Sequence, residues 1–196
     1  YIAKADPVCT ITGYDVTFDG DSHTATGSCL GVEEETLAGL DLSDTTHTNA
    51  GVYTDDPWTF TDETGNYNDV TDGTVDDNID SAAVGSVTYT GTNVVPLGSK
   101  MNLSAGSSIP SFCPTNLFRY EFWNGSDWET LYTATGNSTQ QVATNNVNGS
   151  LAAGTYFVRV HYLGDSNCDE AVSDGSDVIT VFEHLQSLGK ADEWAG

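Results

Sequence analysis

Ala50-Gly51-Val52-Tyr53 and Ala153-Gly154-Thr155-Tyr156 are the two stretches that decide the fold. Each sets a glycine turn two residues ahead of a tyrosine. Each then runs into a β-rich segment, Trp58-Thr59-Phe60 in one case and Phe157-Val158-Arg159-Val160 in the other. A tyrosine at the head of a late strand makes a tyrosine corner, in which the phenol hydrogen-bonds back to the loop before the strand and ties down the connection between two packed sheets. One corner in each half of the chain predicts two sandwiches in tandem.

The flanking sequence has the matching texture. Val8 to Thr12, Asp15 to Phe18, Trp58 to Asp62, Ser86 to Thr90, Phe118 to Trp123, Tyr156 to Tyr162 and Asp177 to Phe182 are short, rich in β-branched and aromatic residues, and bounded by Gly, Asn, Asp or Pro. Helical expectations are confined to Glu33 to Leu37, too short to stand alone, and a weak turn around Glu183 to Leu188. The expected boundary lies near Asp80. The domains are then a junction segment over 1–6, a β domain over 7–80, a sandwich over 84–182, and a tail or linker over 183–196.

A phrase that recurs at domain spacing suggests a tandem array. Ile2-Ala3-Lys4-Ala5-Asp6, Ile79-Asp80-Ser81-Ala82 and Gly189-Lys190-Ala191-Asp192 read as punctuation between modules. On this reading both ends of the chain are junctions, and the expectation shifts from catalysis toward spacing and display.

Charge narrows the partners. Five Lys and Arg stand against 29 Asp and Glu, a formal net charge of −24 over 196 residues. Phosphate recognition needs a basic surface, so nucleic acid is excluded as a partner, and anionic membrane surfaces are disfavoured. The acids are uneven: residues 1 to 80 hold 18 of them, with Lys4 as the sole base. No apolar run is long enough to insert in a bilayer.

Four cysteines in such a chain, without a Cys-x-x-Cys spacing, point to disulfides and a secreted or surface location. Asp19-Gly20 is a turn signal, and a hairpin folded there brings Cys9 and Cys29 within a residue of register. Cys113 and Cys168 are left to each other. Cys168 lies well past the strand that Tyr156 begins, so this bridge is expected to staple a strand-end loop. Each bridge contributes roughly 2 to 4 kcal/mol to a small domain.

Residues 4 to 80 carry further phrases: Phe18-Asp19-Gly20, His23-Thr24-Ala25-Thr26-Gly27, His47-Thr48-Asn49-Ala50-Gly51-Val52-Tyr53-Thr54 and Gly65-Asn66-Tyr67-Asn68-Asp69. In that order they resemble the mostly-bacterial immunoglobulin-like (MBG) repeats, over about two fifths of the chain. The resemblance implies stalks and adhesin spacers of secreted or surface-attached proteins, with no active site. The second domain reads as generically immunoglobulin-like. The expected fold class is therefore all-β: two tandem immunoglobulin-like β-sandwiches, each with one disulfide.

No catalytic motif of the G-x-S-x-G, H-E-x-x-H or phosphate-loop kind is present, and no enzyme is expected. His23 and His47 invite a metal or acid/base reading, but both sit inside phrases of the repeat pattern. No cofactor is expected apart from calcium. Asp76, Asp77, Asn78 and Asp80 at the expected junction are its leading oxygen cluster; Asp62, Glu63, Asn66, Asn68 and Asp69, and the stretch Asp165 to Glu170, are lesser ones. Tyr120, Trp123 and Trp128, around the turn Asn124-Gly125-Ser126-Asp127, suggest a competing carbohydrate-binding role, with glycans as partners. Four Asn-x-Ser/Thr sequons begin at Asn102, Asn124, Asn137 and Asn148, about as many as chance supplies in so Asn- and Thr-rich a chain. Finally, Tyr1 and Ile2 resemble the end of a preceding repeat, while Leu185, Leu188 and Trp194 are apolar residues on a tail. They suggest head-to-tail assembly with other copies or with neighbouring repeats.

Overall fold

The computed structural model describes residues 3–114, 117–134, 139–143 and 151–183. Tyr1, Ile2, Leu185, Leu188 and Trp194, the assembly residues expected from the sequence, lie outside that set, as do Asn137, Asn148 and the turn expected after Glu183. The chain forms two compact units. One takes the chain up to Ala83 together with Asp165–Asp169; the other takes Val84–Gly164 and the chain from Glu170 onward.

The first unit is built from β1 (Val8–Thr12), β2 (Asp15–Thr17), β3 (Thr26–Leu30), β4 (Thr36–Leu37), β5 (Leu40–Asp41), β6 (Gly51–Phe60) and β7 (Val70–Asp80). One sheet has the order β1-β3-β4 and the other β2-β7-β6-β5. Between them Cys29, Leu37, Phe60 and Tyr67 are buried, with Cys9, Leu40, Trp58 and Val70 packed against them.

The second unit comprises β8 (Val87–Tyr89), β9 (Val94–Pro96), β10 (Lys100–Ser107), β11 (Phe118–Trp123), β12 (Trp128–Ala134), β13 (Thr139–Ala143), β14 (Gly154–Tyr162), β15 (Ala171–Val172) and β16 (Asp177–Phe182). Its sheets have the orders β13-β10-β8 and β12-β11-β14-β16-β9, with β15 paired to β14. Its core is far larger, and Leu103, Tyr120, Val158, Val160 and Tyr162 are all fully inaccessible. Val158, two residues beyond Tyr156, stands where antibody domains place the second cysteine of their inter-sheet bridge. A well-packed valine fills that position here.

Both units repeat one device. An early strand joins the first sheet (β1 on β3, β8 on β10), and the short strand after it crosses over to run parallel to the last strand of the other sheet (β2 on β7, β9 on β16). A glycine lies at each crossover. A Cβ on Gly13 would fall 2.0 Å from the Asp76 carbonyl oxygen, and one on Gly91 2.3 Å from that of Asn102, so only a bare backbone passes.

Both tyrosine corners are present. The Tyr53 hydroxyl donates to the Asn49 carbonyl at 2.7 Å, and the Tyr156 hydroxyl donates to that of Ala152 at 3.2 Å. Cys9 and Cys29 are directly opposite on β1 and β3 and are bonded. The expected hairpin is corrected, however. The turn at Asp19-Gly20 exists, with Gly20 at φ 88 and the Asp19 carboxylate accepting from Asp21 N, but β2 leaves its neighbours for the other sheet. Cys113 and Cys168 are likewise disulfide-bonded and no cysteine is free, which leaves them to each other. The all-β expectation of two sandwiches, each with a disulfide, therefore holds.

The helical expectation at Glu33 to Leu37 does not. Glu34 adopts φ 64, which no α-helix tolerates, and Thr36–Leu37 pair with β3 as a strand. The loop is held by Tyr67, whose hydroxyl donates to the Glu35 carboxylate and accepts from Val32 N.

Candidate functional site

Strand alternation constructs the most chemically distinctive surface. On β11, Phe118, Tyr120 and Phe122 turn into the core; on β14, Val158, Val160 and Tyr162 do the same. Arg119, Glu121 and Trp123 therefore share the opposite face with Phe157, Arg159 and His161. The antiparallel register sets Arg119 against His161 and Glu121 against Arg159. On the far side of β11, Trp123 lies opposite Trp128 of β12.

Arg119 and Arg159 are the two arginines of the chain. They hold one buried carboxylate between them: Arg119 Nε donates to Glu121 Oε1 at 2.9 Å and Arg159 Nε to Oε2 at 2.6 Å. Arg119 Nη2 also lies 2.7 Å from His161 Nδ1. A guanidinium can only donate, so Nδ1 accepts, and the imidazole proton sits on Nε2, facing the Glu170 carboxylate at 3.0 Å. The Arg159 guanidinium also lies 4.4 Å over the ring of Trp128, a cation–π contact. Trp128 meets Trp123 at 5.6 Å between centroids and 61° between planes. Gly175, at φ 72, approaches so closely that a Cβ would lie 2.8 Å from the indole. Trp123, Trp128, Phe157 and Gly175 line an open cleft of about 320 Å³, and Phe157 is 53% exposed. A second opening, about 480 Å³, is lined by Val87, Tyr89 and Val172 among serines, Thr88, Asp174 and Asp177. It has no base, and its Asp174 carboxylate is engaged by Ser176 N and Oγ.

The residues expected from the sequence divide here. Trp123 and Trp128 are brought together at the surface. Tyr120 is corrected: it is fully buried in the core and cannot meet a ligand. Phe157, Arg159 and Glu121 were missed, although alternation carried the signal. If Phe118, Tyr120 and Phe122 face inward, then Arg119, Glu121 and Trp123 face outward.

The calcium expectation at Asp76, Asp77, Asn78 and Asp80 is also corrected. These residues belong to β7, whose alternation puts Asp76, Asn78 and Asp80 on one face and Asp77 on the other. Asp76 accepts from Asp55 N, Asp77 is buried and accepts from Tyr14 N, and Asn78 donates to Asp15 and Asp80. Among the described residues no group of three His, Cys, Asp or Glu side chains is placed to hold a metal ion.

His23 and His47 do meet, but through their backbones, with N–H to O distances of 2.8 and 3.0 Å between the residues. Their rings serve different acids, His23 with Asp19 at 3.1 Å and His47 with Asp56 at 2.7 Å, and His47 stacks flat on Tyr53 at 3.5 Å. Beside them, burial and then the Asp77 and Asp56 carboxylates push the Tyr14 phenol up to about 12. The Asp77 carboxyl is itself raised, first by burial and also by Asp56, although its hydrogen bond from Tyr14 N works the other way. Among the described residues its Oδ2 is buried with no hydrogen-bond partner.

This carries a pH prediction. A carboxyl raised in the folded state stabilises below its unfolded value, and that contribution is lost as pH rises through the folded value. Asp77→Asn is therefore expected to raise the melting temperature by a few degrees at pH 8 and to change little at pH 4. Thermal melts across that range check it, and an equal effect at both ends would refute the assignment.

No family model matches the chain, and no curated protein matches it. Among solved structures it is similar to a marsupial T cell receptor, 14% identical, over 95% of this chain and 75% of that one, with a TM-score of 0.34. Strand pairing and the two tyrosine corners establish the sandwich architecture independently. Among the described residues no helix is long and apolar enough to cross a membrane.

Proposed function

We propose that this chain is a structural segment of an extracellular, cell-surface or filament-forming protein, a stalk or adhesin spacer without enzymatic activity that joins copies or neighbouring repeats head to tail. The observation that carries this reading is the use made of the acids. Asp62 Oδ1 accepts from Thr64 N and Oγ1, and its Oδ2 from Tyr67 N. Burial opposes ionisation there, but these bonds overcome it and hold the carboxyl at about 2. Asp41 accepts from Ser43 N, Asp165 from Asn167 N and Cys168 N, and Asp174 from Ser176. Asn124 does the same for Ser126 and Asp127. Side chains that an enzyme would aim into a cleft here lock turns, which is what a rigid, inert module needs. The two disulfides and the resemblance of residues 4–80 to MBG repeats support the same reading.

The test is sedimentation velocity of the full chain at rising ionic strength, with electron microscopy of the same samples. Screening a charge of −24 should permit specific association into filaments. A monomer at every salt concentration, with no fibres, would sink the assembly reading.

A further inference from the structure

We propose that the cleft on the outer face of β11, β12 and β14 binds a uronic-acid oligosaccharide, with one sugar ring against Trp123, Trp128 and Phe157 and its carboxylate paired with Arg159. This goes beyond the spacer reading and stands whether or not the chain polymerises.

The aromatic half of the site is suited to a pyranose. The C–H faces of a sugar ring are apolar and stack on aromatic rings. The 61° between Trp123 and Trp128 makes an angled corner instead of a flat platform, and the cleft of about 320 Å³ is at the small end of ligand sites. Phe157 stands 53% exposed on a strand whose inward neighbours are fully buried. An exposed Phe beside two tryptophans on one sheet face is not explained by packing.

The polar half selects the ligand's charge. Arg159 is fixed at two points, its Nε on Glu121 and its guanidinium plane over Trp128. Its two Nη groups make no hydrogen bond among the described residues. An Nη pair on an immobilised guanidinium is a fork that matches a carboxylate, and the order is already imposed before the ligand arrives. Glu121 and Glu170 balance the two arginines in number, so the selection of an anion rests on the fixed Arg159 fork and not on a net positive charge. Trp128 both lines the cleft and underlies the guanidinium, so a ring seated in the cleft brings its carboxylate to Arg159. The side chains that line the cleft carry no carboxamide or carboxylate to read the hydroxyls of a neutral sugar.

The experiment titrates the full chain with trigalacturonate at about 0.15 M salt, where distant acids are screened beyond about 8 Å. Calorimetry gives the affinity, and the indole N–H resonances give the location. Saturable binding is expected, with the Trp123 and Trp128 signals shifting and that of Trp58 unmoved. Phe157→Ala and Arg159→Lys should each weaken binding by at least about tenfold, with Phe157→Ala leaving the melting temperature unchanged. A neutral cellotriose that binds equally well overturns the role of Arg159. An oligoglutamate peptide that binds equally well reduces the site to a charge effect and overturns the sugar. No binding at millimolar trigalacturonate overturns the proposal altogether.

Discussion

Replacing Cys9 and Cys29 together by alanine is expected to cost the first sandwich roughly 3 kcal/mol, the loop-closure value for two cysteines 20 residues apart. That loss is a large part of what so small a domain has to lose. One buried cluster of this unit is Cys29, Leu37, Phe60 and Tyr67, so the cystine is both a cross-link and a member of the core. The second sandwich has the larger core and should be indifferent. Calorimetric melting of the double variant should therefore show an early transition for the first unit, with the second unmoved. A single unshifted transition would mean that the bridge adds nothing.

Phe60→Ala is expected to cost about 3–5 kcal/mol and to leave the first unit largely unfolded at ordinary temperature. Phe60 is wholly inaccessible at the end of β6, opposite Leu40 on one side and Val70 on the other. The surrounding cluster is too small to collapse into the cavity without exposing Trp58. Phe157→Ala is the matched control: the same side chain is deleted from a strand's outer face, and the expected cost is within about 0.5 kcal/mol. Urea denaturation followed by circular dichroism compares the two. Similar midpoints would contradict the placement of Phe60 in the core.

Much of the framework could be read from residue order. β1, β11 and β16 have the bounds expected of them, because each is a short β-branched or aromatic run closed by turn residues. The two Ala-Gly-x-Tyr phrases foretold both corners because a tyrosine corner is local, its phenol reaching only four residues back. What misled was also local. Asp19-Gly20 is a true turn, yet the strand before it belongs to a different sheet. Glu33 to Leu37 has helical composition, yet Tyr67, more than thirty residues away, holds the loop in another shape. A run of acids ending at Asp80 resembles an ion-binding linker, yet β7 carries it and turns Asp77 inward, away from Asp76 and Asp80.

Local chemistry, then, was settled by the amino-acid order alone: the all-β texture, the turn-locking acids and the partnership of Cys9 with Cys29. Such features depend on neighbours a few residues apart, where propensity and turn geometry act directly. Tertiary structure decided which side of each strand meets solvent and which strands become neighbours. It buried Tyr120 while leaving Trp123 half-buried at the surface, and gathered Arg119, Arg159 and Glu121 from two strands about 40 residues apart. It also set Phe157 beside Trp128. Pairing between distant strands is fixed by the competition of all possible registers to bury apolar area, and no single stretch of sequence contains that competition.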